Sequence, residues 1–143
     1  TDRVVDPGGR DGCRAPIPWD DGPTHGWSTA DPWLPWPPEA LAANAAAQER
    51  DPGSFLHLYR RALAARRLSP ALHHGTFGWL DSPPEVLAWE RRADADRRVV
   101  VVNMTGAAVT FPGSFTLLVS SAPADAQWLG TVRPWTAVWL APA

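Results

Sequence analysis

Eight of the sixteen prolines and four of the nine tryptophans in this 143-residue chain fall within its first 38 residues. Proline fixes φ, lacks a backbone donor and keeps the residue before it extended. Pro16, Pro18, Pro32, Pro35, Pro37 and Pro38 therefore bar any helix or central strand from running through the segment, which must be a long loop. A structureless stretch of that length in a compact protein is either functional or disordered. The tryptophans decide between the two. Disordered segments are poor in aromatics, whereas Trp19, Trp27, Trp33 and Trp36 each carry apolar area that needs a surface to pack on. We expect an ordered loop held against something large, and the rest of the chain is small for that task. The packing partner is expected outside these residues.

Beyond the loop the periodicity becomes readable. Asp51-Pro52 reads as an N-cap followed by proline at the first helical position, and Phe55, Leu58, Tyr59, Ala62 and Leu63 recur at helical spacing. Arg66 and Arg67 sit near the end, where the helix dipole favours cations, and Ser69-Pro70 closes it. The Ala-rich stretch from Glu39 to Arg50 adds a short helix before it. After Pro70 the period is two. Candidate strands are Leu72–Leu80, Val86–Arg92, Arg97–Asn103, Ala107–Phe111, Phe115–Ser120 and Trp135–Leu140, with Ala93-Asp94-Ala95-Asp96 as a hairpin turn. Val99 to Val102 is a continuous apolar run, as in a central strand buried on both faces. Short strands at regular spacing predict a mainly β fold, an antiparallel β-sandwich.

Composition excludes several partners. Thirteen Arg, with no Lys, face fifteen Asp plus Glu, for a net charge of −2, so the basic excess of a nucleic-acid footprint is absent. No stretch approaches the roughly 18 apolar residues of a membrane helix, and no charged-then-apolar leader is seen. The chain starts at Thr1 rather than Met, which we read as a cut. The single cysteine, Cys13, fits a reducing compartment, hence a cytoplasmic protein.

The motif search is mostly negative. His73 and His74 are adjacent and would point to opposite faces of a strand, and no Cys pair accompanies them, so no metal site is expected. No serine lies in a G-x-S-x-G elbow, Cys13 has no evident base, and no phosphate-binding glycine motif occurs. No cofactor is expected. What remains is the stretch from Gly9 to Asp20. Arg10 offers a fixed fork of five donors, and Asp11 beside it can hold that fork in place. Such a pair suits hydrogen bonding to sugar hydroxyls, but it equally suits an ion pair that ties down a loop.

The run Gly-Arg-Asp-x-x-Arg-x-Pro-x-x-Trp, here Arg10, Asp11, Arg14, Pro16 and Trp19, resembles the loop after the eighth barrel strand in α-glucosidases of the α-amylase superfamily. These are glycoside hydrolases of family 13, of the oligo-1,6-glucosidase and maltase type. Gly26-Trp27-Ser28-Thr29, Pro32-Trp33-Leu34-Pro35 and Asn44-Ala45-Ala46-Ala47-Gln48 continue the pattern in order. Ser54 to Arg61, with Arg66-Arg67 and Ser69 to Leu72, is similar to the family's last barrel helix and its exit. The hairpin from Val86 to Asn103 and the closing Arg133-Pro134-Trp135 are similar to its C-terminal β domain. The similarity thus covers essentially the whole chain.

The resemblance implies that residues 1–70 are the last loop and helix of an incomplete (β/α)8 catalytic barrel and that residues 71–143 are a Greek-key β-sandwich. It implies a retaining α-glucosidase acting on α-glucoside oligosaccharides, with the upstream barrel as the absent partner. The nucleophile, general acid and stabilising carboxylate lie on earlier barrel strands in that family. Asp11, Asp20, Asp21 and Asp31 match none of these, so no catalytic residue is assigned and the isolated chain is expected to be inactive. Arg10 matches a family arginine facing the substrate cleft, with Asp11 orienting it, while Arg14 and Trp19 anchor the loop. The family's Thr-Pro-Met-Gln-Trp is Ala15-Pro16-Ile17-Pro18-Trp19 here, which leaves linkage preference open. Trehalose synthases and sucrose isomerases share the loop pattern, so transfer or isomerisation is an alternative. A stand-alone carbohydrate-binding sandwich is another.

Overall fold

The structure is a computed structural model that describes residues 13–123 and 125–143. Internal packing divides the chain into two compact units, Thr1–Leu56 and His57–Ala143. In the first, the described residues from Cys13 to Asn44 contain no strand and no α-helix, as proline content demands. The unit's helix, α1, spans Ala45–Arg50, half the Ala-rich stretch from which a helix was expected. Asn44 sets its start, accepting the Ala47 N–H on its side-chain oxygen at 2.8 Å. Upstream, Glu39 to Ala43 forms turns that do not join α1, the Ala42 and Ala43 N–H groups both donating to the Glu39 carbonyl at 3.0 and 2.8 Å.

Helix α2 covers Phe55–Arg67. It does not start at Asp51-Pro52 as the sequence suggested. Asp51 instead caps the end of α1, and its carboxylate accepts the Gly53 N–H at 2.8 Å, an Asx turn that spends the side chain before the helix begins. The candidate strand Leu72–Leu80 is also corrected. Pro70–His74 is a third helix, α3, and only Thr76–Trp79 is strand β1. The cause is a capping cluster. Ser69 and the Ala71 N–H donate to the Asp96 carboxylate, at 2.5 and 2.9 Å, and the Leu72 N–H donates back to the Ser69 hydroxyl.

The remaining strands are β2 (Val86–Ala93), β3 (Asp96–Asn103), β4 (Val109–Thr110), β5 (Phe115–Ser120), β6 (Thr131–Val132) and β7 (Thr136–Pro142). They form an antiparallel five-stranded sheet, ordered β1-β2-β3-β7-β5, and a two-stranded β4-β6 sheet. Because β7 inserts between β3 and β5, the sheet is not a meander, in keeping with a Greek-key sandwich. The hairpin turn lies where expected, with Ala93 opposite Asp96 and Asp94 at φ +50°. One face of the larger sheet supplies Val86, Ala88, Val99, Val101, Val138 and Leu140, which close over Phe111 and Val132 to form the core. Strand alternation puts Trp79, Leu87, Trp89, Val100, Val102 and Trp139 on the opposite face.

Asn103 locks the two sheets together. It is 1% exposed, and its amide nitrogen donates to the carbonyls of Ala107, Val132 and Arg133 at 2.8, 3.1 and 2.9 Å. Its oxygen accepts from the Thr105 N–H and hydroxyl at 2.9 and 2.8 Å.

Candidate functional site

Arg10 and Asp11, the residues expected to meet substrate, lie outside the described residues. The loop that follows them is described from Cys13 onward, and its construction starts at Trp19. The N–H groups of Trp19 and Asp20 both donate to the His25 carbonyl, at 2.8 and 3.3 Å, so the chain closes on itself over seven residues. Asp20 braces the interior of this turn by accepting the Gly22 N–H at 2.9 Å. His25, buried and at φ +48°, donates from Nδ1 to the Asp20 carbonyl at 3.1 Å. Its ring meets that of Trp36 edge-on, with centroids 4.6 Å apart. Gly26 must be glycine here: it sits at φ +66°, and a Cβ would lie 2.6 Å from an Asp20 carboxylate oxygen.

The Asn-to-Gln run anchors the loop. The first N–H groups of α1, from Ala45 and Ala46, donate to the carbonyls of Pro18 and Trp19 at 3.0 and 2.9 Å. Donors that a helix start leaves unpaired thus hold the loop's backbone in place. Asn44, 1% exposed, also donates to the Leu41 carbonyl at 2.9 Å. Gln48 donates to Ala43 O at 2.9 Å and accepts the Leu56 N–H at 3.1 Å. Both side chains are spent on backbone positioning, so neither is available to a ligand.

The tryptophans are poorly covered. Trp33 is 68% exposed, Trp19 50% and Trp27 49%. Asp21 and Asp31 are exposed as well, and Asp20 serves the turn, so these carboxylates form no buried acid–base set. His73 and His74 stand on α3, not on a strand, and both are exposed. Among the described residues no group of three or more His, Cys, Asp or Glu could hold a metal. Nor is any helix among them long and apolar enough to cross a membrane. The sequence assigned nothing to His25 and placed Asp96 only in the hairpin turn, not as a cap for α3. The signals were present only weakly, as a histidine next to a glycine and an acidic residue closing a hairpin turn.

A family model of the α-amylase catalytic domain matches residues 1–75, just over half of the chain. The chain belongs to the α-amylase family. The match to its catalytic domain ends at Gly75, where α3 stops and β1 is about to begin. This α-amylase-family chain is 39% identical over 102 residues to a probable α-glucosidase of Rhizobium meliloti (strain 1021), covering 71% of the chain and 18% of that protein. An oligo-1,6-glucosidase of Parageobacillus thermoglucosidasius is 29% identical over 98 residues, covering 68% of the chain and 17% of the relative. The chain thus spans about a fifth of the length of the curated relatives it matches. Among solved structures, the trehalulose synthase MutB of Pseudomonas mesoacidophila MX-45 superimposes with a TM-score of 0.78 at 31% identity, over 92% of this chain and 26% of that one. Isomaltulose synthase PalI of Klebsiella sp. LX3 gives a TM-score of 0.80 at 27% identity, over 92% and 25%.

Proposed function

We propose that this chain is the C-terminal part of a retaining α-glucosidase that releases terminal α-linked glucose from short oligosaccharides. Residues 1–70 are then the last barrel loop and helix, and residues 71–143 the C-terminal sandwich. The observation that carries the reading is the 39% identity to a probable α-glucosidase of which the chain spans only 18%. Indoles left about half exposed at Trp19 and Trp27 and more so at Trp33 support it, because apolar area of that size belongs against a partner surface or a ligand. Barrel enzymes place substrate contacts on loops at the strands' C-terminal face, where this loop would stand. Arg10, oriented by Asp11, hydrogen-bonds sugar hydroxyls there, with its charge and planar fork fixing the ring's orientation. Glucosyl transfer passes through a covalent intermediate on a carboxylate about 5 Å from the acid, and both groups belong to the upstream barrel. The 143 residues alone are inactive, and the protein works in the cytoplasm on α-glucosides without nucleic acid or membrane.

A second reading rests on the solved structures, which include enzymes named trehalulose synthase and isomaltulose synthase. In that case the glucosyl group passes to a sugar rather than to water. Incubating the product of the complete reading frame with sucrose and with isomaltose separates the two. Free glucose from isomaltose supports hydrolysis, whereas trehalulose or isomaltulose as the main product from sucrose overturns it.

A further inference from the structure

The segment between β5 and β7 walls a small polar cavity. Its volume is about 50 Å3, and Asp125, Gln127, Trp128, Leu129, Thr131 and Arg133 line it. Asp125 is held from two sides: one carboxylate oxygen accepts the Ser120 hydroxyl at 2.7 Å, and the other meets Arg133 Nε at 2.8 Å. Ser120 is buried and fixed in turn by the Ala122 N–H, which donates to its hydroxyl at 3.0 Å. The carboxylate therefore orients the Arg133 guanidinium through Nε and leaves its terminal nitrogens uncommitted among the described residues. No hydrogen bond among those residues engages the Gln127 amide or the Thr131 hydroxyl, and Trp128 Nε1 is buried without an acceptor. Polar groups brought together by a fixed ion pair and left unpaired by the protein are what a ligand site offers.

We infer that this cavity binds a vicinal diol, the pair of adjacent hydroxyls carried by a sugar ring or a small polyol. Charge, hydrogen-bonding capacity and size choose that ligand together. Asp125 and Arg133 cancel each other, so the cavity has no net charge for an ion to neutralise. Arg133 donates, Asp125 accepts, and Gln127 and Thr131 do both, a mixture that hydroxyls, at once donors and acceptors, can satisfy. A water-sized group needs roughly 10–15 Å3 of such a volume, so the cavity admits about four of them, which matches the two carbons and two oxygens of a diol. The remainder of a sugar ring stays outside, with its C–H groups against Leu129, which is 73% exposed. Every lining residue belongs to the second unit, so the site stands independently of the activity proposed above.

Fluorine NMR of the product of the complete reading frame, with Trp128 alone replaced by fluorotryptophan, tests this. Methyl α-glucoside and glycerol are titrated in separate arms, the first carrying a ring diol and the second an open-chain one, with ethanol as a hydroxyl that lacks a neighbour. At least one diol should shift the resonance saturably, and the tighter of the two identifies the source. Gln127→Ala should weaken that binding several-fold, and Arg133→Ala, which removes charged donors, by roughly tenfold or more. Gln127 is exposed and its side chain makes no hydrogen bond among the described residues, so Gln127→Ala keeps the fold and decides the outcome if Arg133→Ala does not fold. A response to ethanol equal to that of the diols overturns the inference. So does a shift that fails to saturate with either diol, or one unchanged in Gln127→Ala, each of which leaves the cavity to water.

Discussion

Replacing Asn103 by Asp preserves shape and removes the donors on which the two sheets depend. The amide nitrogen stands 2.8 to 3.1 Å from three backbone carbonyls, in a site that is 1% exposed. Its two hydrogens serve those three acceptors, so the substitution forfeits about two hydrogen bonds. The Val132 carbonyl is the buried acceptor, and leaving it unpaired costs ~1–3 kcal/mol, with about 1 kcal/mol more for a lost bond to the part-buried Ala107 or Arg133 carbonyl. A carboxylate in the same place adds repulsion and desolvation worth several kcal/mol more, unless it takes up a proton. The total approaches the ~5–15 kcal/mol that holds a domain folded. The introduced carboxyl has a folded pKa raised above its unfolded value of about 3.9. The added cost is therefore greatest above the folded pKa and shrinks as pH falls towards the unfolded one. Urea unfolding of the parent chain, Asn103→Asp and Asn103→Ala, followed by tryptophan fluorescence at neutral and mildly acid pH, measures both effects. Asn103→Asp should be the least stable at neutral pH and should recover relative to Asn103→Ala on acidification. A loss under about 1 kcal/mol, or a gap between the two variants that ignores pH, refutes the assignment of the amide as the shared donor.

Two further outcomes rest on described hydrogen bonds and a third on the proposed function. Burial alone would raise the Asp96 carboxyl, but hydrogen bonds from Ser69 and the Ala71 N–H, with Arg98 beside it, outweigh burial and hold it below the ordinary value. Its contribution is present above the unfolded pKa and lost as pH falls through the lower folded one, so Asp96→Asn should cost about 2 kcal/mol at neutral pH, with the difference closing in acid. Asn44→Ala removes the α1 cap and should cost about 1 kcal/mol, with faster hydrogen exchange at the Ala47 amide as the direct readout. On the proposed role of Arg10, Arg10→Ala in the product of the complete reading frame removes a charged hydrogen bond of ~1.5–3 kcal/mol to substrate and should lower kcat/KM for isomaltose by roughly 10- to 100-fold.

The sequence made the sandwich legible where local signals suffice. Pro112-Gly113 stops the chain just before β5, and Phe115–Ser120 then emerges as the expected strand. The Val99–Val102 run is the middle of the sheet because a strand flanked on both sides and apolar on both faces has no polar positions to show. The misreadings occur where a distant partner decides. Leu72 was assigned to a strand by alternation, but Asp96, twenty-five residues beyond Ala71, caps the segment into helix α3. Asp51 has the chemistry of an N-cap, yet local competition from the Gly53 N–H takes its carboxylate first. Strand β6, two residues long, carries no period at all. In the loop, proline positions announced irregular backbone, whereas the cap that Asn44 provides emerged only in the structure. The burial of His25 against Trp36 depends on how the turn folds back and could not be read from spacing.

The anomeric form of the first glucose released by the complete enzyme tests the central claim most directly. Proton NMR of 4-nitrophenyl α-glucoside hydrolysis, in which the transferred sugar is the only glucose formed, distinguishes the two anomers before mutarotation mixes them. The account predicts α-glucose first, as a double displacement through a covalent glucosyl-enzyme requires. β-Glucose as the first product, or no glucose at all while sucrose is converted to its isomers, would contradict it.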